Sequence, residues 1–464
     1  MKHCVKFILF FLGSILFAQN SLSEVLSLSE YLSYVKSNHP VVKQAGLVIT
    51  ESEVKLQKAR GAFDPKFELD YDRKKFKETT YYDKLNAMFK IPVWYGIDFK
   101  AKYERNDGEY LNPESTLPED GLYNVGVSIS LAKGFLINER MASIKQAKIY
   151  QEQAEAERLL MVNTILYDAS LAYFKWLKTY QEKKMYTNFL KNSHIRFKGV
   201  KRSYEMGDKP AVDTLESYIV VTNRKLNFKE SEIKYIKASL ELSNYLWLND
   251  VPVEIQNTII PDENTFEKKE DYFSSISDVE SYTIEDHPKL RMLESKYKGL
   301  QIEKKLNLNQ LLPKVDVHYN FLSESLGDMD LYTFSNYKSG ITLSIPLFLR
   351  KERANLKLTK LKLQDLEWSM NTTKTTLGNK MESISREMEN ILEQERYATS
   401  MVADYATLLK AEERMFELGE SSIFLMNSRE SKLINSELKL ITLQNKYLES
   451  RAHLESFLML EYEE

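Results

Sequence analysis

Histidine is the side chain best able to act as acid, base or metal ligand near neutral pH, and this chain has six. Their spacing argues against both uses. His3 lies in an apolar N-terminal segment, and His194 and His453 stand alone in helix-forming sequence. His318 falls on the polar side of an alternating run. No HExxH, P-loop or GxGxxG pattern accompanies them. The one cysteine, Cys4, sits in the same N-terminal segment as His3. Neither an enzyme, nor a metal site, nor a cofactor, nor a disulfide framework is expected from such a set. The last two histidines, His39 and His287, are each followed by proline and lie 248 residues apart.

The chemistry left to this chain is non-covalent, and its best-marked residues flank two glycines. Tyr204-Glu205-Met206-Gly207 leads into Asp208, Lys209 and Asp213. Phe416-Glu417-Leu418-Gly419 leads into Glu420, Leu425, Ser428 and Arg429. These two phrases belong to a longer repetition. Tyr123-Asn124-Val125-Gly126-Val127 is matched by Tyr337-Lys338-Ser339-Gly340-Ile341, and Asn138-Glu139-Arg140 by Lys351-Glu352-Arg353. The order is the same in both halves, so the chain is two copies of one structural unit. One stretch breaks the match: 58 residues separate Pro65 from Tyr123, but only 24 separate Pro313 from Tyr337.

Long helices must carry the glycine turns. Residues 140–204 and 353–418 contain no proline and are rich in Leu, Lys, Glu, Gln and Ala, the good helix formers. Each is expected to be nearly continuous helix. Each should stop at its glycine turn and return, over 211–248 and 422–461. Leu433, Leu440, Tyr447 and Leu454, with Ile434, Ile441 and Leu448 beside them, recur every seven residues, as in closely packed helices. Shorter helices over 41–61 and 289–311 should open each half, started by His-Pro.

Strands are expected between the short and long helix of each half. Val315, Val317, Tyr319 and Phe321 alternate with Asp316, His318 and Asn320; Ile341, Leu343 and Ile345 alternate with Thr342 and Ser344. Phe67, Leu69 and Tyr71, and Val125, Val127, Ile129 and Leu131, do the same in the first half. Such strands suit a lipid-facing barrel or a half-buried soluble sheet. The extra stretch holds two more runs, about Leu85–Ile91 and Tyr95–Arg105. The first half therefore supplies four strands, or two strands and a long surface hairpin.

Residues 1–18 have a positive start at Lys2 and Lys6 and a short apolar core, the pattern of an export signal. The divisions expected are this signal, a first repeat over 19–248, a connector over 249–283 packed outside the long helices, and a second repeat over 284–464. A formal net charge of −3, with acids and bases interspersed, gives no nucleic-acid footprint. An exported helical protein with a structural or adhesive role, without a pore, is the alternative function. A lipid-facing β band would have no use in it.

The order of helix, strands, long helix, turn and return helix, given twice after an export signal, resembles the TolC-like outer-membrane efflux protein family. Ala59-Arg60-Gly61-Ala62-Phe63-Asp64-Pro65 and Ser344-Ile345-Pro346-Leu347-Phe348 are similar to phrases of that family. The resemblance implies an α+β membrane protein, with a shared transmembrane β-barrel continuous with a long α-helical periplasmic barrel. It implies a homotrimer in outer-membrane lipid with four strands per chain, and an exit duct for efflux or type I secretion. A periplasmic adaptor and, through it, an inner-membrane transporter would dock at the helix turns. Tyr204, Gly207, Asp208, Asp213, Phe416, Gly419, Glu420, Leu425, Ser428 and Arg429 would form that docking and gating tip. Where efflux channels of this type often carry aspartates after the second glycine, this chain has Leu425 and Ser428. An apolar gate of Ile423, Phe424, Leu425 and Met426 is expected in place of an aspartate ring.

Overall fold

The computed structural model describes residues 24–269, 283–327 and 333–459. The expected export signal lies outside them. Described elements run β1 (Glu24–Leu26), α1 (Leu28–Asn38), α2 (Pro40–Arg60), β2 (Lys66–Phe76), β3 (Thr79–Pro92), β4 (Ile97–Asp107), β5 (Leu122–Ser130), α3 (Glu139–Glu205) and α4 (Ala211–Ser243). Then come β6 (Trp247–Leu248), β7 (Val251–Pro252), β8 (Ile259–Pro261), α5 (Pro288–Asn309), β9 (Lys314–Ser323), β10 (Tyr337–Ser344), α6 (Arg350–Glu417) and α7 (Ile423–Leu458). The repeat is plain in this order.

The two long helices, α3 and α6, have 67 and 68 residues. At 1.5 Å per residue each is about 100 Å long. Asn138 starts α3 by accepting the Met141 N–H at 2.9 Å. His39 and His287 start α2 and α5 in the same way: each Nδ1 accepts a backbone N–H two residues on, from Val41 at 3.2 Å and Lys289 at 3.1 Å. The proline after each histidine has no N–H to lose at the first helical position.

Helix α1 was not expected from the sequence. Leu28, Tyr31, Leu32 and Val35 give it one buried face, which packs on Tyr173, Phe174, Trp176 and Leu177 of α3, Leu242 of α4 and Leu448 of α7. This is the main core, and it lies midway along the long helices. The seven-residue rows of α7 face inward as expected: Leu433, Ile434, Tyr447, Leu448 and Leu454 are buried, and Leu440 and Ile441 are half-buried. Helix α4 ends at Ser243, short of the expected 248. There Asn249 and Asp250, both at positive φ, turn β6 back onto β7 in a two-residue hairpin.

The segment after that hairpin lies on the helices and not free. Strand β8 pairs in parallel with β1, and Ile255, Ile259 and Phe266 pack against the main core. Val253, expected to be covered, is 42% exposed. Residues 270–282 of the expected connector fall outside the described residues.

All the long strands join one six-stranded antiparallel sheet in the order β10-β9-β5-β4-β3-β2. Both extra runs of the first half are therefore strands of this sheet, and the four strands per chain implied by the resemblance become six. Strand β3 starts six residues before the expected Leu85, because Tyr81-Tyr82-Asp83-Lys84 does not alternate and hides the strand from pattern reading. Strands β2 and β10 are the two edges, each bonded on one side only.

Candidate functional site: the amphipathic sheet and the helix-turn tip

Register puts every alternating run on the same side of the sheet. One row reads Phe67, Phe89, Ala101, Val125, Phe321 and Tyr337 across all six strands. The next position along each strand gives Lys66, Lys90, Lys100, Gly126, Asn320 and Lys338 on the other face. The first face is apolar and outward: Phe67, Leu69, Phe99, Ile341 and Leu343 are all more than half exposed. Among the described residues no element covers it. Five of the six strands have 9 to 14 residues, long enough to cross a bilayer when tilted, and β10 has 8.

Aromatic rings gather at both margins of this band. Tyr81 and Tyr110 (4.7 Å between centroids), Tyr103 and Tyr123 (4.8 Å), and Phe321 and Phe334 (5.5 Å) lie toward the end away from the helices. Phe63 with Trp94 (5.0 Å) and Tyr95 with Phe135 (6.1 Å) lie at the helix end. Two aromatic girdles with an apolar band between them are the signature of an outer-membrane barrel wall. The sequence reading did not identify the girdles, because their members come from turns as well as strands.

On the polar face Asp98 joins the sheet to α3. Arg140 donates to it at 2.9 Å and to the Val93 carbonyl at 3.2 Å, and Lys90 pairs with it at 3.0 Å. The sheet is thus fixed to the start of the long helix by half-buried charge. His318, expected on this face, lies over Gly340, and its neighbour Asn320 lies over Gly126. A Cβ at either glycine would collide with these side chains, which explains why both copies of the repeat keep glycine there.

At the opposite end the two glycine turns have the same geometry. Gly207 has φ +86 and Gly419 has φ +81. The Asp208 N–H reaches the Ser203 carbonyl at 2.9 Å, and the Glu420 N–H reaches the Met415 carbonyl at 2.9 Å. Both are Schellman turns. Nothing lies within 4 Å of a Cβ built at either glycine, so backbone angle alone requires it. Ser422 then restarts α7 by accepting the Leu425 N–H at 3.2 Å.

The turns lie side by side. Lys209 of the first sits 4.5 Å over the Phe416 ring before the second, and Asn427 donates to Glu216 at 3.3 Å. Tyr204, Gly207, Asp208, Gly419 and Glu420 are exposed; Asp213, Phe416, Ser428 and Arg429 are half-buried. Arg429 turns back to Glu412 of α6 at 3.5 Å, an ion pair within the chain. The four apolar residues expected to form a gate divide. Ile423 and Met426 are buried in the tip-side core, each 2% exposed, and are not presented to an opening. Phe424 and Leu425 point out, 67% and 45% exposed.

A buried ion cluster above the tip was missed in the sequence. Glu430 of α7, 1% exposed, pairs with Arg224 of α4 at 3.0 Å and Arg196 of α3 at 3.1 Å. Arg196 also reaches Glu413 of α6 at 3.4 Å, so four helices meet there. The signal was present: Glu430 stands on the inward stripe of Ile423, Met426 and Leu433, where a lone carboxylate needs a buried cation.

Helix α4 shows the reverse of ordinary burial. Its inward stripe includes Ser217, Val221, Arg224 and Ser231, while Val212, Ile219, Leu226, Ile233 and Leu240, seven residues apart, are each at least half exposed. That is a coiled-coil seam without a partner among the described residues.

Comparison with known proteins agrees with this architecture. Residues 281–458 match the model of the outer membrane efflux protein family. The fold is similar to the CmeC outer membrane channel of Campylobacter jejuni, with TM-score 0.64 and 12% identity over 93% of this chain and 85% of that one. It is similar to the outer membrane protein VceC of Vibrio cholerae, with TM-score 0.66 and 12% identity over 94% and 97%. The open state of the MtrE outer membrane channel of Neisseria gonorrhoeae gives TM-score 0.64 and 14% identity over 93% and 88%. No curated protein sequence matches significantly. The family is one of non-enzymatic outer-membrane channels with a periplasmic helical portion. The second half of this chain is therefore similar to the outer membrane efflux protein family, and the fold is TolC-like along nearly its whole length.

Proposed function

We propose that this protein is a passive exit duct, assembled as a homotrimer. It would carry substrates across the periplasm and outer membrane for a tripartite efflux pump or type I secretion system. The observation that carries this reading is the sheet: apolar on one face, polar on the other, girdled by aromatics, and joined directly to helices about 100 Å long. Six strands are too few to enclose water, since even an eight-stranded barrel is filled by side chains. An unpaired strand edge in lipid costs several kcal/mol for each backbone group. The barrel must therefore be shared, and the bare seam on α4 supplies a matching helix contact. Energy would come from an inner-membrane transporter reached through a periplasmic adaptor.

The tip residues Tyr204, Gly207, Asp208, Asp213, Phe416, Gly419, Glu420, Leu425, Ser428 and Arg429 are the adaptor-docking and gating surface in this reading. The division into two repeats, 19–248 and 284–464, joined by a connector, belongs to the same proposal. Native mass of the detergent-extracted protein from separated membranes tests it. A particle of three chains from the outer-membrane fraction is expected; a soluble monomer would reject the duct. At the tip, Leu425→Asp should create a ring of carboxylates and make conductance sensitive to divalent cations. Conductance unchanged with and without divalents would remove Leu425 from the gate.

A further inference from the structure

The six-stranded sheet has a consequence for the width of the pore. The two halves differ in one place, where Pro65 to Tyr123 exceeds Pro313 to Tyr337 by 34 residues. In the second half the equivalent strands, β9 and β10, pair directly. In the first half β2 and β5 are held apart by β3 and β4. The register gives the same length. Lys66 of β2 pairs with Lys90 of β3, which pairs with Lys100 of β4, so one hairpin period is also 34 residues. The extra stretch is therefore one inserted β-hairpin, and it is seated inside the sheet, continuing both its apolar and polar faces.

Strand count also sets how the edges can meet. Six is even, so β2 and β10 run in opposite directions. The β2 edge of one copy can then pair with the β10 edge of the next in the antiparallel sense that the rest of the sheet uses. Every residue of β2, and seven of the eight residues of β10, are exposed in the single chain.

We infer that β2 of each protomer pairs with β10 of its neighbour, so that the trimer closes as an 18-stranded barrel with the inserted hairpin in its wall. This rests on the trimeric reading above. With strands about 4.8 Å apart and tilted about 40°, 18 strands make a backbone cylinder about 36 Å across, and 12 strands one about 24 Å. The inserted hairpin is then the element that sets the bore of the outer exit. A barrel of 16–18 strands leaves an open aqueous channel, so the class of cargo it suits is hydrated solutes and polypeptide segments too broad for a 12-stranded exit.

Cysteine cross-linking tests the seam. Thr342→Cys in β10 is combined in turn with Lys66→Cys, Glu68→Cys, Asp70→Cys and Asp72→Cys on the same face of β2, and with Lys100→Cys, Lys102→Cys and Glu104→Cys of β4. At least one β2 pairing should give disulfide-linked trimers on oxidation, and no β4 pairing should. Cross-links through β4 would mean that β2 and β3 lie outside a 12-stranded barrel, and would overturn the inference. Intact trimers that cross-link through neither strand would overturn it as well. A monomer in detergent would reject the trimeric reading and this inference with it. End-on electron-microscope averages give a second measurement. Deleting Lys74–Asp107 removes one hairpin period and keeps the faces aligned, so the barrel should narrow by about a third in diameter. An unchanged diameter would place the hairpin outside the wall.

Discussion

At His39 and His287 the imidazole serves as a hydrogen-bond acceptor, which only its neutral form can do. Burial lowers both below their ordinary range, His287 to about 4 with added repulsion from Lys289 and Lys380. In the unfolded chain both titrate near about 6.5. Between those values the unfolded chain binds protons that the folded chain refuses, so stability is full above about pH 6.5 and falls as pH drops toward about 4. His39→Asn with His287→Asn keeps an acceptor at each helix start and removes the titration. The double variant should lose less melting temperature than the parent between about pH 7.5 and about pH 5. Equal losses would show that other groups control acid stability. Glu430 acts in the other direction. Glu430→Ala would leave Arg196 and Arg224 buried beside each other, a loss of about 3–5 kcal/mol. A thermal melt unchanged in this variant would show the cluster to be solvated. The sequence placed both histidines at helix starts through the repeated His-Pro, as the structure has them, but did not show that they are held neutral. Their neutrality depends on burial by residues far away in the chain.

Among the elements, the long helices, their return partners and six strand runs could be read from composition and alternation. Helix α1 could not, because eleven residues carry too short a pattern and its stability comes from the core it meets. Nor could the start of β3, where adjacent tyrosines and charges break the alternation. The glycine turns were legible in both copies, and their cost can be measured. Gly207→Ala or Gly419→Ala places a side chain at positive φ in open space, so strain of about 1–2 kcal/mol is expected with no clash. The double variant should lose about the sum, since the strain at each turn is local. The seam of α4 was also present in the sequence, but its direction was not. Burial alone shows that the heptad apolar residues face away from their own chain. Ile219→Asp with Leu226→Asp should leave helical circular dichroism intact and reduce the yield of trimers. Full trimer yield would show that α4 makes no contact between copies.

For the molecule as a whole, the internal repeat made the architecture legible, and the 34-residue mismatch marked the place where the halves depart from it. Whether that mismatch was wall or decoration could not be read from periodicity. It is decided by which strands pair, and pairing is a property of the whole sheet. The same sheet has two unlike borders, β2 on one side and β10 on the other. A ring built from such units is heterologous: each copy is needed twice, once by the neighbour before it and once by the neighbour after it. A single defective border therefore spoils a ring whose other members are sound. For the trimer proposed above, a cell making equal amounts of normal chain and a chain whose β2 cannot pair would have about one ring in eight with normal copies only. In genetic terms the loss would be dominant, and a heterozygous or plasmid-borne allele would reveal it without removing the normal gene.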